Sequence, residues 1–370
     1  MEEIENVLIV RDDNIGDAVL FSGALRHLRH KYRNQRIRLC VSRACRPLFE
    51  LCPYVDELID MESLIPEWLR RISKKHHLFD NSLIRVFDGV WRKLACRQHL
   101  ADVAICPVRS PRPLPYGIHG IVKAVSAKHK IGIAGDFANQ SPEQDAAAAA
   151  VYTERFQLPP ERCWDHELEI TRDFLAYLGI SSTLDDIWPE FWLSSEDLAR
   201  ADSRIPSIQG EVTLGISPAS SVWWGRSYPP ESYEPVFQAL GDFRFRVVLL
   251  GAPAEIEFTR LILGALKRCS NVTSIQDLAG QTPLRHLVAV LSKCDIIFAM
   301  ETAAAHIGVA LRKPTVVVMG GGHYGRFYPW GNPEINRVAH LPMDCYRCKW
   351  RCRYSTIRCI QEIPPTAVAD

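Results

Sequence analysis

The stretch Val7-Leu8-Ile9-Val10-Arg11-Asp12-Asp13-Asn14-Ile15-Gly16-Asp17-Ala18-Val19-Leu20 decides how the chain is read. A short apolar run ends in a polar loop, and a glycine–aspartate pair then opens a segment of helical spacing. Strand, turn and helix start in that order open a parallel α/β sheet. Asp17 falls at the carboxyl end of the first strand, where such sheets present their ligands. A carboxylate held there can accept a proton from an incoming hydroxyl. The plainer alternative is that Asp17 only caps its helix, as Asp often does.

Working outward, the alternation continues. A helix is expected from Asp17 to Tyr32, with Leu20, Ala24, Leu28 and Tyr32 on one face. Strands are expected at Ile37 to Ser42, Val55 to Asp60 and Asp102 to Pro107, with a helix near Arg46 to Leu51. From Gly132 to Glu161 the chain turns polar, and a helix resumes around Leu168 to Leu178. The second half alternates more cleanly. Strands are expected at Val212 to Ile216, Arg246 to Leu250, Asp295 to Met300 and Thr315 to Met319, separated by helices. The pattern predicts an α/β protein of two Rossmann-like parallel-sheet domains facing a central cleft. The domains are expected at 1–195 and 196–340, followed by a cysteine finger and tail at 341–370.

Bulk properties bound the function. With 370 residues, two domains are the natural expectation. A net charge of +1 gives no bulk signal for nucleic acid. The acidic start Met-Glu-Glu-Ile-Glu-Asn is the wrong charge for a signal peptide. No uncharged apolar stretch approaches the about 20 residues of a transmembrane helix, so a cytoplasmic protein is expected. One local exception is 66–99, where eight Lys and Arg residues face three acidic ones among Trp68, Leu69, Ile72, Leu83, Phe87, Trp91 and Leu94. This reads as basic amphipathic helix, either a solvated face packed on the sheet or a contact with an anionic acceptor or the inner-membrane surface.

Three loops of the second half follow strands and carry anion-binding chemistry. Ser217-Pro-Ala-Ser220-Ser221-Val-Trp-Trp-Gly-Arg226-Ser-Tyr-Pro229 offers hydroxyl donors and a guanidinium fork for phosphate. Leu250-Gly251-Ala-Pro-Ala-Glu255 offers a carboxylate for ribose hydroxyls. Glu301-Thr302-Ala303-Ala-Ala-His306 places a helix start, with small residues, directly after a strand. Taken singly, Arg226 is a surface arginine, Glu255 a helix-start carboxylate and His306 a satisfied core histidine. Their order, each at a strand end, favours a ligand site. Gly320-Gly321-Gly322-His323-Tyr324-Gly325 satisfies the dinucleotide fingerprint formally. The following Arg326-Phe-Tyr-Pro-Trp-Gly-Asn-Pro333 cannot begin a helix, so a dinucleotide is not expected there.

Cys345, Cys348, Cys352 and Cys359 crowd into one short segment, with two, three and six residues between them. Four thiolates so spaced can close a tetrahedral shell around structural zinc or iron, and Arg347, Lys349, Arg351, Arg353 and Arg358 would offset their charge. Two disulfides or four unbound thiols are the plainer alternatives.

With these motifs in hand, the chain resembles glycosyltransferase family 9, the ADP-heptose:lipopolysaccharide heptosyltransferases. The resemblance rests on Arg11 to Leu20, on Ser217-Pro-Ala-Ser220 with Arg226-Ser-Tyr-Pro229, and on Glu301 to His306 with Ala310-Leu-Arg-Lys-Pro314. It implies a GT-B fold and an inverting sugar transfer without a catalytic metal. By position it implies Asp17 as general base, Arg226 in place of the family's usual lysine at the diphosphate, and backbone amides at Thr302 and Ala303. Glu301 and His306 would line the donor site. Glu301 stands where the family usually has Asp, and Ala303 where it has Gly, which puts the donor sugar in question. A branch of the family that modifies autotransporter adhesins carries a cysteine-bound iron and assembles into large rings. The resemblance therefore leaves three functions in view: heptose transfer from ADP-heptose to a lipopolysaccharide-core or other lipid-linked glycan, heptose transfer to a surface adhesin, and nucleotide-sugar binding without catalysis.

Overall fold

A computed structural model of the chain describes residues 4–11, 14–64, 101–109, 118–220 and 224–370. Contacts divide it into two compact units, Met1–Trp192 and Leu193–Asp370. The basic segment 66–99 and Ser221 lie outside the described residues.

The first unit holds a six-stranded sheet of order β3-β2-β1-β4-β5-β6. Its strands are β1 (Asn6–Arg11), β2 (Arg36–Val41), β3 (Glu57–Asp60), β4 (Val103–Ile105), β5 (His129–Ala134) and β6 (Glu154–Gln157), every neighbouring pair being parallel. Val7 pairs with Ile37 on one side and Val103 on the other, which explains the unbroken apolar run of β1. Leu8 and Val10 share a core with Cys40, Ile59, Ala104 and Ile121.

The helix expected from Asp17 to Tyr32 is two helices, α1 (Ile15–Phe21) and α2 (Ala24–Lys31). The break has a remote cause. A Cβ on Gly23 would stand 2.2 Å from the carbonyl oxygen of Trp188 and 2.4 Å from that of Ile187. The Ser22 hydroxyl donates to the Val19 carbonyl at 2.7 Å and accepts the Glu190 amide at 2.8 Å. The break thus seats the crossing chain against the helix.

Further helices of this unit are α3 (Ile118–Ala124), α4 (Pro142–Ala149) and α5 (Glu167–Tyr177). Two departures from expectation stand out here. Arg46–Leu48 forms only a single 3-10 turn, and the polar stretch from Gly132 contains the end of β5, all of α4 and β6.

The second unit repeats the plan. Its six-stranded sheet has the order β12-β11-β10-β7-β8-β9, built from β7 (Val212–Ser217), β8 (Phe245–Leu249), β9 (Val272–Asp277), β10 (Ile296–Met300), β11 (Thr315–Val318) and β12 (Asn336–Ala339). All its pairs are parallel. The helices are α6 (Ser195–Arg204), α7 (Tyr233–Ala239), α8 (Ile256–Leu266), α9 (Leu284–Lys293) and α10 (Ala303–Ala310). Short α11 (Arg358–Gln361) and α12 (Pro365–Ala369) end the chain. Ile357, Ile360, Ile363 and Val368 are buried in the same core as Tyr233 and Phe298. The Tyr228 hydroxyl donates to the Ile363 carbonyl at 3.0 Å. The cysteine segment is therefore part of the second unit. Among the described residues, no helix is long and apolar enough to cross a membrane.

Candidate functional site

In each sheet the first strand lies between the second and the fourth, so connections leave in opposite directions on its two sides. Ligands of open α/β sheets bind at the carboxyl end of that switch point. In the first unit the switch lies between β1 and β4. Asp17 is there, in the first turn of α1 and partly exposed. Its Oδ2 accepts the Asn14 amide at 3.3 Å, so it caps α1 whatever else it does. After β4 comes Arg109, fully buried, which donates to the Cys163 carbonyl at 2.7 Å, the Asp165 carbonyl at 2.9 Å and Glu167 Oε1 at 3.1 Å. Three acceptors from one short segment make Arg109 a tie that holds the chain entering α5.

In the second unit the switch lies between β7 and β10, and both following loops carry residues expected at the site. Beyond β7, the Ser220 amide donates to Ser227 Oγ at 3.1 Å and folds the loop back on itself. Arg226 closes the 3-10 turn Trp224–Arg226 and is half-buried. Its guanidinium carbon lies 4.1 Å above the Trp350 ring. Burial holds the guanidinium below its ordinary pKa, while the nearby Glu301 and Cys348 oppose that shift. Arg226 and Glu301 are thus electrostatic neighbours from the two loops that flank the switch.

Beyond β10, Thr302 is extended at the start of α10 and its hydroxyl donates to the Met300 carbonyl at 3.2 Å. The first turn-closing bond of α10 runs from the His306 amide to the Thr302 carbonyl, at 3.2 Å. The amides before it point out of the helix end, as at any helix start. Residues 303 to 305 are alanines, so this first turn carries no long side chain of its own.

Two other residues are placed differently. Glu255 follows β8, and its Oε2 accepts the Ala252 amide at 2.7 Å, the geometry of a loop cap. His306 is buried and stacks on Tyr328 at 4.6 Å and 24°, with the Trp330 ring 6.0 Å away. It serves there as a packed core histidine.

The triglycine has a role its fingerprint did not suggest. Gly320, Gly321 and Gly322 do not have positive φ, so no turn demands them. What demands them is closeness: an added Cβ would lie 2.1 Å from Tyr346 at Gly321 and 2.4 Å from Trp350 at Gly322. The Arg347 amide donates to the Gly321 carbonyl at 2.6 Å and the Lys349 amide to the Gly322 carbonyl at 3.1 Å. The loop after β11 is a seat for the cysteine segment.

The cysteines themselves line one small cavity together with Met343 and Ile357. Burial pushes the Cys359 thiol up, the Gly321 amide pulls it down, and Cys348, Cys345 and Cys352 push it up again. Yet among the described residues no group of three or more His, Cys, Asp or Glu side chains stands as a metal shell. The closed shell expected from spacing is therefore not formed. Two sulfurs are engaged elsewhere: Cys352 donates to the Thr356 carbonyl at 3.5 Å, and Cys359 accepts the Gly321 amide at 3.4 Å.

Residues 120–353 match the pattern of glycosyltransferase family 9 (heptosyltransferase). The chain belongs to that family. It is 24% identical over 141 residues to lipooligosaccharide heptosyltransferase 2 of Haemophilus ducreyi, covering 38% of this chain and 39% of that protein. To lipopolysaccharide core heptosyltransferase OpsX of Haemophilus influenzae it is 26% identical over 167 residues, covering 45% and 46%. The matched stretches thus span less than half of these curated relatives. The fold is shared with the solved E. coli ADP-heptose lipopolysaccharide heptosyltransferase II, at a TM-score of 0.67 and 19% identity over 98% of this chain and 96% of that one.

Against that family background, the feature the sequence reading missed is Trp350. No motif marks it. Its only signal was the triglycine, dismissed as a failed fingerprint.

Proposed function

We propose that this family 9 protein is an inverting glycosyltransferase that moves a heptose-type sugar from ADP-heptose to a hydroxyl of a lipopolysaccharide core. The observation that carries the reading is the second unit's switch point, where Arg226 and the start of α10 stand on the two flanking loops. A guanidinium and a helix amino end suit a diphosphate, and both gain strength as leaving-group charge grows. In this reading Thr302 and Ala303 offer amides to the phosphates, while Ser220, Ser221, Glu255, Glu301 and His306 belong to the donor half. Asp17 takes the acceptor's proton; its place at the first unit's switch point supports that role.

The donor is tested by incubating the full chain with ADP-heptose and a heptose-deficient core acceptor, following ADP release and acceptor mass together. Coupled formation of ADP and a heptose-extended acceptor is expected. Absence of both, with ADP-heptose giving no thermal stabilisation, overturns the reading.

The proposal includes a structural zinc or iron ion held by Cys345, Cys348, Cys352 and Cys359. Its support is the donor chemistry of four thiols around one cavity. To close the shell, Cys352 must leave the Thr356 carbonyl. Elemental analysis of protein purified without affinity metals should find one ion per chain. Substoichiometric metal with four titratable thiols would refute it.

A further inference from the structure

Trp350 lies midway between Cys348 and Cys352, yet its ring serves another residue. It is held from several sides. The indole Nε1–H donates to His323 Nδ1 at 3.2 Å, and the ring lies so close to Gly322 that no Cβ fits. His323 meets it edge-on, with centroids 6.1 Å apart at 88°. Trp350 itself has a φ of 61°, as do its neighbours Lys349 at 55° and Arg347 at 66°. Non-glycine residues occupy that left-handed region at a cost, so three in one short segment mark a backbone bent to a purpose. The bend delivers the indole face to Arg226.

We infer that Trp350 is the positioning residue for Arg226, its indole face holding the guanidinium over the second unit's switch point for a nucleoside diphosphate. Stacking engages only the face of the guanidinium. It leaves the in-plane N–H groups in the planar fork geometry that suits phosphate oxygens. A bare arginine would have to lose several rotamers on binding the anion; a stacked one has lost them already. The inference rests on the reading of Arg226 as the diphosphate ligand, and deepens it. It also gives the cysteine segment a function beyond packing, because the segment's own turn supplies the platform.

The test measures ADP affinity of the full chain by calorimetry for Trp350→Leu, Trp350→Phe, Arg226→Ala and the Trp350→Leu/Arg226→Ala double variant. Trp350→Leu should weaken ADP binding by about 5- to 30-fold, the range of a partly desolvated cation–π contact. Trp350→Phe should recover most of that loss. In the Arg226→Ala background, Trp350→Leu should add almost nothing. If the Trp350→Leu loss persists undiminished in that background, or Trp350→Phe is as weak as Trp350→Leu, the positioning role is overturned while the Arg226 reading stands. Unchanged affinity in Arg226→Ala overturns the Arg226 reading itself, and this inference with it. Should Trp350→Leu not fold, the Arg226 Nε–H resonance decides, assigned by its loss in Arg226→Lys. A ring-current shift of that proton that disappears in the non-aromatic Trp350→Gln supports stacking; an unshifted proton in the native protein refutes it.

Discussion

The two sheets have the same strand order, yet their switch points carry different chemistry. The first presents a carboxylate, Asp17, after β1 and a buried arginine, Arg109, after β4, whose hydrogen bonds are spent on the Cys163 and Asp165 carbonyls and the Glu167 carboxylate. The second presents a half-buried arginine stacked on an aromatic ring, with an acidic neighbour and a helix start. On the function proposed above, these are the proton acceptor and the anion site that a group transfer requires, and neither follows from topology. The fold fixes where the loops end; the loop residues decide what happens there.

The strongest way to break this comparison is Asp17→Asn. The amide can still accept the Asn14 N–H, so the cap and α1 persist, while the proton acceptor is lost. Heptose transfer should fall by about 10²- to 10⁴-fold, with ADP affinity unchanged. Near-normal turnover would reduce Asp17 to its capping role.

Arg226→Ala attacks the other switch point. It should weaken ADP binding by about 10- to 100-fold, as expected for losing hydrogen bonds to a charged group, and slow transfer together with it. Equal ADP affinity in calorimetry would mean that this loop does not touch phosphate.

These two residues were legible because each follows a strand that the sequence announces. β1, β7, β8 and β10 are apolar runs buried on both faces, and their ends are easy to find. Of the edge strands, β3 was read from the sequence, whereas β6, β9 and β12 were not. β6 is Glu-Arg-Phe-Gln and β9 is Val-Thr-Ser-Ile-Gln-Asp; each pairs on one side only and neither has a fully buried residue. The break at Ser22–Gly23 was invisible for another reason: its cause, the chain at Ile187–Trp188, is far away in sequence. The same holds for Trp350, whose partner Arg226 lies in another loop. Periodicity reports burial along one element and cannot report what a distant segment brings to it.

A pair of glycines sharpens the comparison at the level of stability. Gly321→Ala puts a Cβ 2.1 Å from Tyr346, whose hydroxyl is tied to the Leu341 carbonyl at 2.6 Å and cannot simply swing away. In the first unit, Gly23→Ala meets the Trp188 carbonyl at 2.2 Å. Each should cost about 1–3 kcal/mol, the range for forced overpacking. Gly210 and Gly241 are not useful controls, because both have positive φ. Gly264, with open space around it, is the control. Denaturant melts in which Gly321→Ala matches Gly264→Ala would remove the triglycine seat.

The smallest effect separates the cysteine segment from the buried cysteines. Burial pushes Cys52 and Cys294 up to about 12, whereas Cys345, Cys348 and Cys352 are partly exposed. Thiolate is the reactive form, so at pH 8.5 a maleimide or disulfide reagent should modify the segment well before Cys52 or Cys294. Bound metal should suppress that modification, and a chelator should restore it. The same raised pKa values carry a sign for stability. The folded chain keeps those two protons longer than the unfolded chain, whose thiols titrate near about 8.5. Their contribution is fully present below that pH and is lost as pH rises towards 12. The melting temperature should therefore drift down above about pH 9. Cys294→Ala removes one titrating thiol and should flatten the drift relative to its own value at pH 7; an equally steep decline would show that Cys294 is not its source.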